Sequence, residues 1–209
     1  MNKCDAVINQ ILPRFIARLL RVGETVLPEY FDCVTILFVD LYGFPDFIQT
    51  HPPETTLHLI SATEACIDKL STEGNVYKVE AVNDSFMVAS GLPERIGNDH
   101  VARIAEFSTR LIRVQPESTF MPMLQFKIGF HSGPCAAGLM GQKRPRYCLF
   151  GDTVNMASRM CSHGLPNHIH LSPDSQSLLE KFCLFVLEPR GLLAIKGKHE
   201  MTTYWLIFA

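Results

Sequence analysis

The sequence predicts an α+β fold, and three observations predict it. From residue 32 onward strand-like and helix-like segments alternate, Asn83-Asp84 carries a tight hairpin signal, and 47% of the 209 residues are apolar. That apolar share supplies one sizeable core without disulfides or metals. Cys33 to Val39 is β-branched and apolar, a buried strand that ends at Asp40. Pro53 opens a helical stretch to about Leu70, closed by the turn Ser71-Thr72-Glu73-Gly74-Asn75. Val76 to Val82 and Ser85 to Ala89 read as two strands, and their turn accepts Asn83 because Asn tolerates positive φ. Val101, Ile104, Ser108, Leu111 and Ile112 give the next helix an apolar face, and Leu124 to Phe130 forms another strand. This order, βαββαβ, is that of a ferredoxin-like core with its helices on one face of an antiparallel sheet. A helix from Thr153 to about Cys161 and short strands near 168–171, 184–188 and 203–208 follow as C-terminal additions.

Residues 1–31 read differently. Ile8, Ile11, Leu12, Phe15, Ile16 and Leu19 make a helical stripe that Pro13 interrupts, and Pro28 ends the segment. It is assigned as an amphipathic dimerisation linker, with 32–209 as the domain proper. Such a helix packs on its own domain or pairs with a second copy, and no sustained heptads choose between these. The ionic balance is 19 Lys plus Arg against 21 Asp plus Glu. Near neutrality argues against a general nucleic-acid or polybasic membrane surface, so an anionic ligand must be held locally. No apolar run approaches the length of a membrane span and residues 1–10 lack a signal-peptide pattern, so the polypeptide reads as soluble. Seven scattered cysteines, an odd count without Cys-x-x-Cys, indicate a reducing compartment rather than a disulfide framework or zinc site. His168 and His170 share a face if Ile169 lies in a strand; with no acidic or Cys partner nearby, an ordinary strand edge is expected.

Chemistry is suggested first by an acid at a strand end followed by a Gly-containing loop, Asp40-Leu41-Tyr42-Gly43-Phe44, and second by Asp84 at the hairpin tip. In a ferredoxin-like sheet the first strand and this hairpin are neighbours. Two carboxylates there can converge on divalent cations, and paired metals suit in-line phosphoryl displacement. Taken singly, each is an ordinary strand-end or turn aspartate; the pairing across the sheet is what sets them apart.

The stretches Val34 to Asp40, Val76 to Glu80, Phe86 to Pro93, Phe130 to Pro134, Pro145 to Asn155 and Ala157 to Met160 resemble the catalytic domain of class III nucleotidyl cyclases, and specifically receptor-type guanylate cyclases. The likeness runs in order from about residue 12 to 206. Leu12-Pro13-Arg14-Phe15 and Pro28-Glu29-Tyr30-Phe31 look like the dimerising linker of such proteins. The resemblance implies a head-to-tail dimer with composite sites at its interface. Asp40 and Asp84 fall on the two metal-binding aspartates, with the Leu41 carbonyl as a further ligand and Mg²⁺ or Mn²⁺, two per site, as cofactors. From the partner subunit, Asn155 would orient the ribose, Arg159 would stabilise the pentavalent α-phosphate, and Lys196 in Lys196-Gly197-Lys198 would hold the terminal phosphates. Asn155 and Arg159 stand at i and i+4, one face of a helix. Base selection falls to Glu80 and Cys148, with Arg146 at a position that also differs between cyclase types, and Phe44 falls in the substrate loop. A carboxylate accepts from the guanine N1–H and 2-amino group, a pair that adenine does not offer. Adenylate cyclases place Lys and Asp where this chain has Glu80 and Cys148, so the implied substrate is GTP and the product cyclic GMP.

Two departures stand out. Pro45 follows Gly43-Phe44 where the family has a residue with a free amide, which removes one phosphate contact. Asn83 precedes the second metal aspartate where the family has Gly, the least costly exchange if the turn needs positive φ. They motivate an alternative, a catalytically weak or inactive regulatory or dimerisation domain. A homodimer is expected because every matched position lies in one chain, with a heterodimer left open. The implied place is the cytoplasm, as the intracellular part of a membrane receptor whose anchoring segments lie outside this chain.

Overall fold

One mixed sheet of eight strands carries the chain, with helices on both faces. The computed structural model describes residues 12–114, 125–141, 145–195, 197 and 199–208. The elements are α1 (Arg14–Arg21), β1 (Glu29–Tyr42), α2 (Phe44–Thr50), α3 (Pro53–Gly74), β2 (Tyr77–Val82), β3 (Ser85–Ser90), α4 (Asp99–Val114), β4 (Gln125–Met140), β5 (Arg146–Phe150), α5 (Asp152–Ser162), β6 (His168–Leu171), α6 (Pro173–Leu179), β7 (Val186–Leu193) and β8 (Met201–Ile207). The strand order is β2-β3-β1-β4-β6-β8-β7, with β5 paired to β4 alone. Its first four members, in the order β2-β3-β1-β4, are the expected ferredoxin-like core. β1 lies antiparallel between β3 and β4, while β6 joins parallel to β4.

The two faces of β1 divide the protein. Leu37, Val39 and Leu41 enter the main core with Leu59 and Ile67 of α3 and Ile104, Phe107 and Leu111 of α4. Val34 and Ile36 point the other way, into a second cluster with Tyr147 and Leu149 of β5, Ala157 of α5, and Leu12, Ile16 and Ala17 at α1. Asp40 shares the period of Val34 and Ile36 and therefore belongs to this second face. A polar seam crosses the buried end of β1 distant from Asp40. Thr35 Oγ1 lies 2.7 Å from His100 Nδ1 and 2.8 Å from Ser132 Oγ, which continues to Ser175 Oγ at 2.9 Å. Burial pushes the His100 imidazole down to about 4, so it enters this seam neutral.

The sequence reading and the structure differ in instructive places. The helix expected to stop near Leu70 runs on to Gly74, because Asn75 adopts φ 50 and Val76 N–H closes back on Ser71 O at 3.0 Å. The strand expected over 124–130 continues to Met140, through Pro134. Across from that proline β1 carries a bulge between Phe31 and Val34, and an irregular ladder tolerates a residue without an N–H. Beyond the bulge Glu29 to Phe31 still pair with Ala137 to Cys135, so the boundary drawn between 31 and 32 falls inside a strand. Helices α2 and α6 and strand β5 were not anticipated; each spans seven residues or fewer, too short for a clear period. Expected as an edge, β6 is interior, between β4 and β8.

The feature that sets α5 on the second face is Gly129. A Cβ there would lie 2.0 Å from Cys161 N and 2.2 Å from the Met160 carbonyl carbon, so the backbones of β4 and α5 are in contact. Gly129→Ala must push the helix off the sheet. Overpacking against backbone is expected to cost about 3 kcal/mol or more. The check is a lowered urea midpoint at unchanged m.

Candidate active site

The chain end of β1 and the β2–β3 hairpin are stitched together by backbone and side chain. Asp40 stands opposite Ser85 on one side and Lys127 on the other. Leu41 N–H donates to Asp84 O at 3.1 Å, and Ser85 Oγ donates to Asp40 Oδ1 at 2.6 Å. The two carboxylates expected to act together thus sit near the end of β1 and in the turn of the adjoining β2–β3 hairpin, both half-buried. Ser85 escaped the sequence reading, although its place beside Asp84 at the turn was a usable signal. Asn83 takes φ 55, the left-handed conformation its substitution for Gly had to meet. Gly43, at φ 89, lets the chain turn from β1 into α2. The Phe44 ring is buried in the main core, so its backbone is what the loop offers to a ligand. Pro45 follows within the first turn of α2 and brings no N–H.

The two side chains at this end of the sheet are carboxylates, hard oxygen donors of the kind Mg²⁺ and Mn²⁺ prefer. Among the described residues no cluster of three or more His, Cys, Asp or Glu side chains is present to form a closed metal cage. The arrangement fits an open site, completed by ligand oxygens, better than a structural one.

A second group assembles from β2 and β5. Arg146 Nη1 donates to Glu80 Oε1 at 3.3 Å, across 66 residues of sequence. Both side chains are largely exposed, at 71% and 46%, so the pair itself adds little stability. Its meaning is positional. Cys148 follows Arg146 by two residues on β5 and shares its face. The neighbouring rings of Tyr77 and Tyr147 pack edge to face with centroids 6.1 Å apart. Burial, with Cys148 nearby, pushes the Tyr77 phenol up to about 12. A bulge at Val79 explains how Glu80 arrives there. Lys78 pairs with Val88 but Glu80 with Met87, leaving Val79 as the extra residue. Strict alternation would send Lys78 and Glu80 to one face. Instead Lys78 turns to α3, where Glu64 at 2.9 Å and Asp68 at 2.7 Å hold it, and Glu80 turns to β5.

A third group lies on α5. Thr153, Met156, Ala157, Met160 and Cys161 are buried against the sheet. Asn155 is exposed and Arg159 half-exposed, four residues apart on the side turned away. Cys161 marks the junction with Asp40: its Sγ donates to Lys127 O at 3.2 Å. Burial first, and the Asp40 charge second, push that thiol well up, which keeps it protonated. Lys196 lies outside the described residues; Gly197 beside it is described, at φ 77.

The profile of the adenylate and guanylate cyclase catalytic domain family matches residues 26–208. Guanylate cyclase 32E of Drosophila melanogaster is 46% identical over 98% of this chain. Atrial natriuretic peptide receptor 2 of Homo sapiens is 43% identical over 99%. The chain spans 18% and 20% of those two relatives, about a fifth of each. Among solved structures, the guanylate cyclase domain of RhGC from Catenaria anguillulae, in complex with GTP, superposes with a TM-score of 0.81 at 30% identity. That match covers 86% of this chain and 98% of the other. A non-canonical dimeric guanylyl cyclase domain, from the RhoGC fusion protein of Blastocladiella emersonii, gives 0.78 at 28%, over 86% and 98%.

The hairpin that places Asp84 gives a direct test. Asn83→Gly is expected to leave stability within about 0.5 kcal/mol, while Asn83→Val should lose about 1–2 kcal/mol, because a β-branched residue resists positive φ. Urea unfolding of the two variants beside the parent chain measures the difference.

Proposed function

This chain belongs to the adenylate and guanylate cyclase catalytic domain family, and from that premise we propose that it converts GTP to 3',5'-cyclic GMP and pyrophosphate as a homodimer with two composite sites. The observation that carries the reading is the division of the second face. Asp40 lies on it, whereas Asn155 and Arg159 look away from it on the outer side of α5. One chain therefore presents the two halves of a site in different directions, and a two-fold partner supplies the complement of each.

In this reading the ribose 3'-oxygen attacks the α-phosphorus, the bond from that phosphorus to the bridging oxygen of the β-phosphate breaks to release pyrophosphate, and the hydroxyl proton passes to solvent water. Asp40, Asp84 and the Leu41 carbonyl would hold two divalent ions, Mg²⁺ or Mn²⁺, which when bound activate the hydroxyl and neutralise phosphate charge. Glu80 accepts from the guanine N1–H and 2-amino group, Cys148 lies toward O6, and Arg146 holds the Glu80 carboxylate in place through their ion pair. Across the interface Asn155 orients the ribose and Arg159 meets the charge that develops on the α-phosphate; such electrostatic stabilisation lowers the barrier of phosphoryl transfer more than any other effect. Lys196 is assigned to the terminal phosphates and the Phe44 backbone to the loop beside them. The segment that precedes β1 is assigned as the linker through which the dimer is set. Among the described residues no helix is long and apolar enough to cross a membrane; a cytoplasmic setting, within a longer receptor-type protein, accords with the free thiols.

The alternative of an inactive regulatory domain rested on Pro45 and Asn83. Asn83 occupies the conformation that its turn requires, so that part of the motive is weakened. Pro45 removes one backbone donor and no charged group.

Purified protein incubated with GTP, ATP and Mn²⁺ across protein concentration tests the proposal. Cyclic GMP should form with a specific activity that rises as dimers form. Nucleotide binding without cyclic product from either substrate would favour the regulatory reading. Asp40→Ala or Asp84→Ala should abolish product while unfolding cooperatively like the parent.

Glu80→Lys with Cys148→Asp should shift the ratio of kcat/KM from GTP toward ATP, with Arg146→Gln added if the ion-pair position also reads the base. Leaving the guanine-reading groups unmatched should cost more than a lost contact. Unchanged preference for GTP would remove the base assignment.

The composite arrangement predicts complementation. Asp84→Ala and Arg159→Ala homodimers should both be inactive. Random mixing gives about half hybrids, each with one intact site of two, and so roughly a quarter of parental activity.

A further inference from the structure

The last turn of α5 is held by donors from three different strands. A helix ends with carbonyls that have no partner inside it. Here five successive carbonyls are each met. Arg159 O accepts from His163 N at 3.0 Å and from His163 Nδ1 at 2.9 Å. Met160 O accepts from His170 Nδ1 on β6 at 2.7 Å. Cys161 O accepts from Gly164 N at 2.8 Å. Ser162 O accepts from Lys127 Nζ on β4 at 2.8 Å, and His163 O from Arg190 Nη1 on β7 at 2.5 Å. Two of the donors are cations, the sign that the negative end of a helix dipole favours.

Arg190 comes from farthest away. It sits where the β7–β8 register shifts between Pro189 and Gly191, and Gly191 takes φ 114. The guanidinium lies over the Trp205 ring, 4.8 Å from its centroid, and reaches across β8 to β6. There Arg190 Nη1 lies against the His170 ring, 3.2 Å from Nε2 and 3.5 Å from Nδ1. The tautomer follows from the partners. Met160 O can only accept, so Nδ1 carries the proton, and in the neutral ring Nε2 carries none. Burial pushes His170 down to about 4, in keeping with the neutral ring. Trp205 packs against His170, with centroids 4.9 Å apart, and closes the stack.

We propose that Arg190, acting with His170, is a positioning residue for the cyclase reaction: it fixes the C-terminal turn of α5 and so aims Arg159 at the phosphate of the site completed by the partner chain. This rests on the composite-site reading above. Neither residue touches the substrate; both act through the backbone of the turn that begins at Arg159. Lys127 anchors the same turn from a strand position opposite Asp40, but Arg190 and His170 lie on strands that carry no assigned metal ligand, so they can be altered without touching the carboxylate half.

The test is Arg190→Met, assayed as homodimer and in mixed dimers. Alone it should lower kcat for GTP by about 10- to 100-fold, the scale of a displaced catalytic group. KM should stay within about twofold, since the base-reading pair is untouched. Mixed with Asp84→Ala chains, activity should recover toward roughly a quarter of the parent; mixed with Arg159→Ala chains it should not recover, because every site then has a defective α5. A role in general stability would spoil both halves of the chain and block complementation with Asp84→Ala. His170→Asn keeps an N–H for Met160 O but offers Arg190 no imidazole ring to rest against; it should show the same pattern and serves if Arg190→Met fails to fold. A parental kcat in both variants, or no recovery with Asp84→Ala when mixed dimers are shown to form, overturns the proposal. Absence of cyclic GMP from the parent protein would instead overturn the functional reading beneath it.

Discussion

The backbone of α5 rests directly on the backbone of β4, because Gly129 has no side chain to hold them apart. Much of the second face depends on that contact. With the helix seated so closely, Met156, Ala157 and Met160 are buried beneath it and Asn155 and Arg159 are left outside. The same approach brings Cys161 against the Lys127 carbonyl and beside Asp40. A helix lifted by one methyl group would leave the outer residues unaimed and the carboxylate strand without its neighbour.

The sheet gives its main core to one face and the groups of the proposed site to the other. Helices α3 and α4 close over Leu37, Val39 and Leu41, and the polar seam through Thr35, His100, Ser132 and Ser175 ties α4 and α6 to β1 and β4 by hydrogen bonds that have no better alternative in a dry interior. The second face is covered by α5 and by the segment around α1, and it leaves Asp40, Asp84, Glu80 and Arg146 within reach of solvent. Exposed or half-exposed charge there is inexpensive until a ligand arrives, whereas the same groups on the α3 and α4 side would need partners at once. Irregularities rather than ideal strands do the aiming. The bulge at Val79 separates Lys78 from Glu80, the bulge beside Phe31 accommodates Pro134, and the one near Gly191 turns Arg190 inward.

The three groups of the proposed site differ in how firmly the chain holds them. The metal-side carboxylates are tied by the Leu41 to Asp84 backbone bond and the Ser85 hydroxyl. Asn155 and Arg159 ride on a helix whose terminal carbonyls are all engaged. The pair proposed to read the base is an exposed ion pair on two strands. Firm placement falls where charge must be met in a fixed geometry, and looser placement where a ligand has to enter.

Sequence alone determined the ferredoxin-like order of elements, since hydrophobic period and turn chemistry are local properties. It also marked Asp40 and Asp84 by their strand-end and turn positions, and Glu80, Arg146, Cys148, Asn155 and Arg159 through a resemblance that runs from about residue 12 to 206. The φ of Asn83 was legible too, because few residues tolerate that conformation. Tertiary structure decided the rest. Pairing brought Ser85 and Lys127 to Asp40, and no local pattern encodes which residues face each other across a ladder. Bulges, which change direction by one residue without changing composition, sent Glu80 to β5 and Arg190 to α5. Short elements such as α2, β5 and α6 form because the surrounding chain completes them, and their own residues carry too few periods to announce it.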